Sequence, residues 1–412
     1  MAEKLFLFGC EESYFFRDGT PFTAGEDTFL PSSFPPSCNV LHGAVRTAIM
    51  RGHGLDFGEY AQGRCSVCGC AQEDCEVLKA MSGSPNEPED AGMDLIGPFV
   101  TRETETGVER LYRAPSDLVQ VESVASEIEF GRLHPSPEPV MTDIGRVFMP
   151  SSDVRCKSLS DVWISENGLL GYLLGADVSP DEAYYSAKKD GASEQGRAFL
   201  LREERIGIAR QRATGATQEG MLYAIEHIRF LHGPTEKFGM GVRVRGCPDT
   251  PVPNVVRLGG EGRFTSLRVK RSKPFPADGV AEAIDRGPSL FGERGFKAVF
   301  TTPVQFCAGD DGDGWLPPGF AQCERDGALV WEGILRDMRC TLVSVCSDRP
   351  VRIGGWNMVL NQPKPRLAYV PAGAVYYFTT PHTGAEVVAA FHDAKIGMDT
   401  RIGFGHAVVG RW

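Results

Sequence analysis

Four cysteines within eleven residues form the part of the sequence whose spacing most directly predicts metal binding. Cys65, Cys68, Cys70 and Cys75 follow the order C-x2-C-x-C-x4-C. Zinc binds four soft ligands in a tetrahedron, and C-x2-C supplies the usual first pair. Because Cys68 and Cys70 are too close together for an ordinary knuckle, the spacing leaves open which of them ligates. We expect a structural zinc site, with a reduced Cys-rich surface loop as the alternative.

A glycine-rich turn that runs into a basic strand predicts contact with an anionic partner. The glycines of Gly259-Gly-Glu-Gly-Arg263 allow positive φ and close approach of a second molecule. In the following residues, apolar Leu267 and Val269 alternate with basic side chains, which indicates a strand with one basic face. An alternative is that the glycines only allow two domains to pack. The residues expected to meet the anion are Gly259, Gly260, Gly262, Arg263, Arg268 and Lys270.

Residues 401–409 partly match the signature K/R-G-F-G-F-V-x-F of RNA-recognition motifs. Gly403, Phe404 and Gly405 supply the centre of the match, and Phe404 could stack on a base. His406 replaces the second stacking aromatic residue. A Gly-rich loop that closes the last strand is therefore the preferred interpretation.

Signatures of several enzyme classes are missing from the sequence, which has no G-x-x-x-x-G-K-[ST], no H-E-x-x-H and no G-x-S-x-G. Nucleotide hydrolysis, zinc proteolysis and α/β-hydrolase chemistry therefore lack their usual markers. His42 and His406 each lie beside a glycine, and either could act as a general base. RNA contact or simple packing is the preferred interpretation for both.

The elements that must position these residues begin with a strand over residues 4–10 and a helix over Asn39–Met50, which Asn39 caps. Residues 52–98 are small, acidic and Cys-rich, and predict an insertion with a flexible part. A second helix is expected over Ser160–Leu174, and a polar linker over 176–197.

The second half of the chain holds more strand patterns than helical ones. Helices are predicted over 278–285, with Asp278 as N-cap, and over 383–394. Strands with few helices favour an α+β architecture over alternating βαβ units. The predicted strands cover residues 205–209, 222–230, 241–245, 255–269, 297–302, 342–345 and 374–378.

The composition is that of a soluble globular protein with a local basic patch. The 412 residues carry a formal net charge of -11, which argues weakly against a free-standing nucleic-acid binder. No run approaches 18 apolar residues, so no transmembrane helix is predicted. The start of the chain is typical of a strand rather than of a signal peptide. We therefore expect a cytoplasmic protein whose 12 cysteines are reduced or bound to metal.

Several segments together resemble the third subunit of the Cmr complex, the type III-B CRISPR effector. They span the whole chain in the family's order, and the ordered set is more specific than any single segment. The segments are residues 15–22 (FFRDGTPF), 33–36 (SFPP), 43–46 (GAVR), 204–208 (ERIGI), 219–223 (EGMLY), 258–263 (LGGEGR), 354–356 (GGW), 363–365 (PKP), 370–378 (VPAGAVYYF) and 403–405 (GFG).

The resemblance implies a RAMP protein with two ferredoxin-like, RRM-related domains, over residues 1–200 with the Cys-rich insertion and over 201–412. It implies a non-catalytic subunit that binds the 5′ tag of the guide RNA (crRNA) at the base of the complex. The implied partners are the large polymerase/cyclase-type subunit and the first copy of the backbone RAMP subunit. Target RNA would be met indirectly, and no membrane is involved.

Carried over residue by residue, the family's N-terminal motifs fall on Arg17, Asp18 and Arg46. Its Gly-rich signature falls on residues 259–263, and its terminal loop on 403–405. The Cys cluster departs from the family pattern and lies in an insertion, where lineage-specific additions are tolerated.

Tag binding would require loops that clamp phosphates, cations and stacking aromatic rings. Two other hypotheses stay open. One is a RAMP endoribonuclease that processes precursor crRNA, with His42 or His406 as its base. The other is a metabolic enzyme with a phosphate-binding Gly-rich loop. Beyond the glycines, the residues expected to contribute to tag binding are Arg46, Arg263, Arg268 and Lys270 for charge, and Phe16, Phe22 or Phe404 for stacking.

Overall fold

A computed structural model describes residues 3–9, 11–17, 29–71, 74–81, 92–122, 128–187, 197–211, 213–306, 314–357 and 362–412. Two residues named above, Asp18 and Phe22, lie outside these ranges. None of the helices within them has the length and apolar character needed to cross a membrane. The helices are α1 (Cys38–His53), α2 (Phe57–Ala61), α3 (Glu76–Met81), α4 (Glu166–Leu174), α5 (Val280–Asp285) and α6 (Gly384–Phe391), with 3-10 turns at Pro180–Glu182 and Thr400–Ile402.

Strands make up most of the regular structure, which confirms the mixed α+β class. The strands up to residue 187 are β1 (Lys4–Phe8), β2 (Phe29–Leu30), β3 (Asp94–Thr104), β4 (Gly107–Arg113), β5 (Leu118–Val121), β6 (Phe130–Arg132), β7 (His134–Pro135), β8 (Val140–Thr142), β9 (Gly145–Val147), β10 (Pro150–Ser151), β11 (Cys156–Ser158), β12 (Val162–Ser165) and β13 (Ala183–Ala187). The later strands are β14 (Arg197–Arg210), β15 (Thr217–Phe230), β16 (Lys237–Arg245), β17 (Val255–Arg257), β18 (Phe264–Arg271), β19 (Ser289–Leu290), β20 (Glu293–Phe300), β21 (Ala321–Arg325), β22 (Ala328–Leu335), β23 (Met338–Cys346), β24 (Val351–Asn357), β25 (Gln362–Tyr369), β26 (Val375–Thr380), β27 (Ala394–Lys395) and β28 (His406–Arg411).

Eleven strands form the larger sheet, in the order β17-β18-β1-β16-β3-β4-β12-β13-β14-β15-β2. At its centre β1 is antiparallel to both neighbours, with Phe6 opposite Val269 of β18 and Val242 of β16. β1 is almost continuously apolar because both of its faces are covered. The predicted domains meet between residues 200 and 201, and both of these residues lie within β14. The strands β14 to β18 belong to this same sheet.

The second main sheet contains strands of the last third of the chain, in the order β21-β22-β23-β26-β20-β28-β27, with β19 paired to β20. Its central pairs are all antiparallel, with Phe296 opposite Phe378 on one side and Ala298 opposite Val409 on the other. Helix α6 lies between β26 and β28 in the chain. Thr383 caps this helix through a reciprocal hydrogen bond with Glu386.

Helix α1 is longer than the sequence predicts and begins earlier. Its N-cap is Ser37, whose hydroxyl accepts a hydrogen bond from the Asn39 backbone N–H at 3.3 Å, so the prediction of Asn39 as cap was wrong. The helix ends before Gly54, which has a φ of 76°. The buried face packs on the larger sheet and consists of Leu41, Ala44, Val45, Ala48, Ile49 and Met50.

Two other local predictions differ from the structure for a common reason. Residues 162–165, predicted as helix, form β12, and α4 begins after Ser165. Part of the predicted linker, Ala183–Ala187, forms β13 between β12 and β14, with Tyr184 buried. Short apolar runs do not distinguish strand from helix by periodicity, and the neighbouring strands decide between them.

Smaller corrections concern the caps and the insertion. α5 begins after Gly279 rather than Asp278. The Gly-rich turn interrupts the strand predicted over 255–269 and separates β17 from β18. Within residues 52–98, α3 buries Val77 and Leu78 in the core around α1, so this part of the insertion packs against the larger sheet.

One apolar cluster joins the two main sheets, and a buried polar group lies inside it. Asp117 is fully buried and accepts hydrogen bonds from the hydroxyls of Tyr172 at 2.6 Å and Tyr377 at 2.5 Å. The Lys297 Nζ lies 3.8 Å from the same carboxylate and 3.4 Å from the centroid of the Tyr172 ring. Burial lowers the pKa of Lys297 to about 7, because the charged amine is poorly solvated there.

Candidate nucleic-acid interface and metal cluster

The Gly-rich turn between β17 and β18 packs against the segment that follows β1. The Gly260 backbone N–H donates to the Phe15 carbonyl at 2.7 Å. A Cβ on Gly259 or Gly260 would lie 2.7 or 2.8 Å from atoms of Phe15, so both positions require glycine for packing within the protein. Gly262 has a φ of 65° and open space around its Cα. Gly262 is therefore the position in this turn that a ligand can approach.

His227, which the sequence analysis did not single out, holds this turn from β15. Its Nδ1 lies 3.0 Å from Ser13 Oγ, and its Nε2 lies 3.2 Å from Glu261 Oε2. The ring stacks on Phe15 with centroids 5.9 Å apart, and burial lowers the pKa of His227. The neutral imidazole therefore positions Glu261, which has a φ of 55°. In the sequence, only its inward position in β15 could have drawn attention to it.

The cations of β18 are paired with a glutamate of the same sheet. Glu103, in β3, accepts from Arg268 Nη1 at 3.0 Å and from Lys270 Nζ at 2.9 Å, and these interactions lower the pKa of Glu103 to about 2. Arg263 pairs with Glu12 at 2.7 Å. Each of the three cations is partly exposed but forms an ion pair with a carboxylate. The net positive charge of the basic face is therefore smaller than the strand pattern predicts.

The aromatic residues predicted to stack on bases belong to the core in the described part of the chain. Phe404 is fully buried and stacks on Tyr369 with centroids 4.7 Å apart. Phe16 is also buried. Cβ atoms on Gly403 and Gly405 would lie 2.5 and 1.9 Å from backbone carbonyl oxygens, so these glycines allow the terminal loop to pack. The prediction that Phe404 contacts RNA is therefore wrong for this fold, since no face of its ring is accessible.

Arg46 and Arg17 occupy different environments. The Arg46 guanidinium donates to the Met81 carbonyl at 3.1 Å and to the Tyr60 hydroxyl, so it fixes the Cys-rich insertion to α1. Arg17 is exposed at the end of a described range. Of the two arginines, Arg46 thus has an evident structural role within the insertion.

The two histidines proposed as a general base are both buried. Burial, with smaller contributions from Arg46 and Lys364, lowers the pKa of His42 to about 3. His406 Nε2 lies 3.0 Å from Asp393, its Nδ1 contacts the Thr301 hydroxyl, and burial lowers its pKa to about 4. Since neither ring reaches the surface, neither can meet an RNA ribose in this conformation.

The Cys-rich loop brings together donors from three parts of the chain. His53 Nε2, Cys65 Sγ and Cys75 Sγ all lie within 4.8 Å of one another, and all three residues are buried or half-buried. Cys68 contributes a third thiol and so a fourth donor, which interacts with Cys65 and Cys75. A hydrogen bond from the Cys70 backbone, followed by those from neighbouring thiols, lowers the pKa of Cys68 to about 7. The cluster could therefore hold a metal ion, and it includes a histidine that the sequence analysis did not predict.

The backbone of this loop has the tight geometry expected of a knuckle. The Gly69 N–H donates to the Cys65 carbonyl at 2.8 Å, and the Cys65 N–H donates to the Cys70 carbonyl at 3.0 Å. Gly69 has a φ of 72°, which favours glycine at this position. The Cys70 thiol lies 3.6 Å from the Cys68 carbonyl oxygen. The turn thus brings the side chains of Cys65 and Cys68 close enough to interact.

The chain matches a protein family described as CRISPR-associated protein (Cas_Cmr3) over residues 11–412. Among curated proteins, nothing matches it.

Solved structures with similarity to the chain come from cryo-EM studies of the type III-B Cmr-beta complex. A chain of that complex bound to cognate target RNA has 14% identity and a TM-score of 0.42, with 91% of this chain and 86% of that chain covered. A chain of the complex bound to cognate target RNA and AMPPnP has 13% identity and a TM-score of 0.41, with 90% and 86% covered.

Proposed function

Because the chain belongs to the Cas_Cmr3 family of CRISPR-associated proteins, we propose that it is a non-catalytic subunit that anchors the 5′ tag of crRNA in a type III-B effector complex. The family match over almost the whole chain is the observation that carries this proposal. The subunit would lie at the base of the complex and bridge the large polymerase/cyclase-type subunit and the first backbone RAMP subunit. It would meet target RNA only indirectly and would work in the cytoplasm.

We also infer that each main sheet is built on a ferredoxin-like RAMP domain. Such a domain has the chain order βαββαβ and the spatial strand order 4-1-3-2. In the larger sheet, β1, β3, β16 and β18 are candidates for these four strands, since their spatial order is β18-β1-β16-β3 and α1 follows β1. In the second sheet, β20, β23, β26 and β28 have the spatial order β28-β20-β26-β23, and α6 precedes the last strand.

Within this proposal, RNA contacts the exposed edge of the Gly-rich turn between β17 and β18 of the larger sheet. Gly262 leaves its backbone accessible, and Arg263, Arg268 and Lys270 border the turn and β18. An approaching phosphate would compete with the carboxylates of Glu12 and Glu103 for these cations. We expect this competition to make binding by the surface modest and sensitive to salt.

The proposal is tested by measuring binding to crRNA with and without the 5′ tag, at two salt concentrations. The measurement uses the full chain together with its partner subunits. Tag-dependent binding that strengthens with the partners is expected. The variant Arg263→Glu with Arg268→Glu should weaken retention of the tagged RNA, whereas Arg155→Glu with Lys157→Glu, on another exposed surface, should not. Cleavage of repeat RNA by the chain alone, lost on substitution of His42 or His406, would instead establish a processing endoribonuclease.

We further propose that the metal held by the cysteine cluster is zinc and that its ligands are His53, Cys65, Cys68 and Cys75. The donor set is three thiols and one imidazole, which suits a closed structural zinc site. A nitrogen about 2.05 Å and a sulfur about 2.3 Å from zinc lie about 3.6 Å apart in a tetrahedron, and the distance from His53 Nε2 to Cys65 Sγ is 3.9 Å. A metal here would tie the end of α1 to the start of α3.

A further inference from the structure

The hairpin of β24 and β25 projects from the second main sheet and pairs with neither sheet. Its two strands pair only with each other among the described residues. One of its faces packs through Ile353 and Leu367 against a small cluster that includes Cys38 and Phe404. The hairpin is therefore fixed to the start of α1 and to the terminal loop, while its other face is free to meet a ligand.

This hairpin and the residues leading into it concentrate positive charge in an acidic protein. Over residues 348–369 there are four basic residues and one acidic residue, Asp348, whereas the whole chain has a net charge of -11. In the part of the chain that the structure describes, Arg349, Arg352 and Lys364 form no ion pair. The contrast with Arg268 and Lys270 is direct, because both of those are matched by Glu103.

The hairpin also places basic side chains close to an exposed aromatic ring. Gly354 and Gly355 leave room on β24 for the side chains of Arg366 and Lys364, since a Cβ on them would lie 2.9 Å from Arg366 Cγ and 3.7 Å from Lys364 Cδ. The aliphatic parts of these two cations therefore pack against the backbone of β24. The next residue, Trp356, is 53% exposed, so its ring is accessible to a base.

A concave surface lies at the base of the same hairpin. A cavity of about 270 Å³ opens between the start of α1 and the second sheet, and its wall includes Arg349 and Arg352 together with Phe34 and Ile353. Asp161 and Asp348 also line it, and Asp161 is paired with Arg113. The cavity thus continues the cationic surface of the hairpin into a partly apolar recess.

We propose that the hairpin binds single-stranded RNA, with Arg349, Arg352 and Lys364 at phosphates and Trp356 stacked on a base. Cations that track the backbone and an aromatic ring that accepts any base are the two elements of sequence-tolerant single-strand binding. An acidic protein partner would match the charge but would not require an exposed aromatic ring among the cations. The identity of the RNA as crRNA rests on the function proposed above.

The test measures affinity of the full chain, assembled with its partner subunits, for a labelled single-stranded crRNA and for the same RNA without its 5′ tag. Arg352→Glu with Lys364→Glu should lower affinity for both RNAs at least tenfold and flatten the salt dependence. Trp356→Ala should lower it by about fivefold to a hundredfold with the salt dependence kept, since stacking is not ionic. Arg155→Glu with Lys157→Glu is the matched control, because both residues are largely exposed and the charge change is equal.

Unchanged affinity and salt dependence in both hairpin variants would overturn the inference. So would loss of a partner subunit with RNA affinity intact, which would identify the hairpin as a protein-docking surface. If the variants weaken both RNAs equally and the wild type shows no preference for the tag, the hairpin inference stands and the proposed tag function fails. If tag preference persists while the variants bind normally, the reverse holds.

Discussion

His53 Nε2 lies 3.9 Å from Cys65 Sγ, which connects the last residue of α1 to the Cys-rich loop. The two residues are twelve positions apart, and Gly54 and the short helix α2 lie between them. Cys75 approaches the same point from the start of α3. Donors from three elements therefore converge beside the helix that also carries Arg46.

Removing a ligand of this cluster should remove both metal and stability. We expect His53→Ala and Cys75→Ser to reduce bound zinc from about one equivalent to less than half, because a tetrahedral site needs all four donors. Metal analysis and thermal unfolding measure the two effects. A chelator should lower the Tm of the wild type, because binding of a structural metal contributes to folding free energy.

Cys70→Ser is the control for the metal prediction, since its thiol lies against the Cys68 carbonyl and is not assigned as a ligand. It should retain zinc and Tm. Equal zinc loss in Cys70→Ser and His53→Ala would show that the ligand set is wrong, and a metal-free wild type with intact thiols would contradict the site altogether.

Glu103→Gln should strengthen RNA binding if β18 contacts RNA. The substitution removes the carboxylate that pairs with Arg268 and Lys270, so both cations become available to phosphate. The slope of log K against log salt should steepen by about 0.7 for each cation recruited. Glu122→Gln is a matched control, because Glu122 bridges Arg155 and Lys157 in the same way on another surface. An identical response in the two variants would mean that only net charge matters.

Alanine at two glycines of the same turn should separate packing from ligand access. Gly262→Ala should cost about 1 kcal/mol, because φ is positive but the space is open. Gly259→Ala adds a clash at 2.7 Å with the Phe15 carbonyl oxygen, and overpacking of this kind costs about 1–3 kcal/mol more. Urea unfolding measures both values. Equal destabilisation would show that the turn relaxes away from Phe15.

The buried Lys297 should make the free energy of unfolding rise with pH on the alkaline side of neutrality. Its pKa is about 7 in the folded protein against an ordinary value of 10.5, so between these values the unfolded chain binds more protons than the folded one. Stability then increases with pH, by at most about 1.4 kcal/mol per pH unit. Unfolding measured from pH 7 to about 8 should show this rise, below the range where thiols of the unfolded chain ionise. Above that range burial, which raises the pKa of Cys38 and Cys346 in the folded protein, acts in the opposite direction.

Lys297→Met should reduce that pH dependence, and Lys273→Met, at an exposed position, should leave it unchanged. A smaller slope should remain in Lys297→Met, because burial also lowers the pKa of Lys395 to about 7. If Lys297→Met keeps the full slope, the buried amine is protonated in the folded state and Asp117 compensates it.

Much of the local structure could be predicted from residue order alone. The helix predicted over residues 39–50 from apolar spacing forms most of α1, and the turn at 259–263 follows from its glycines, because both patterns depend on neighbouring residues. The family followed from many weak segments in a constant order, and the match over residues 11–412 confirms it.

Tertiary structure decided what those segments do. The Glu103 side chain reaches Arg268 only because β3, β16, β1 and β18 follow one another in one sheet, and no local pattern reports an ion pair over 165 positions. Phe404 sits in a motif that resembles an RNA-stacking signature, yet packing against Tyr369 excludes water from both faces of the ring. Residue types and spacing determined which side chains were available. The packing of distant strands determined which of these side chains remain exposed, because burial and charge pairing depend on contacts between residues far apart in the sequence.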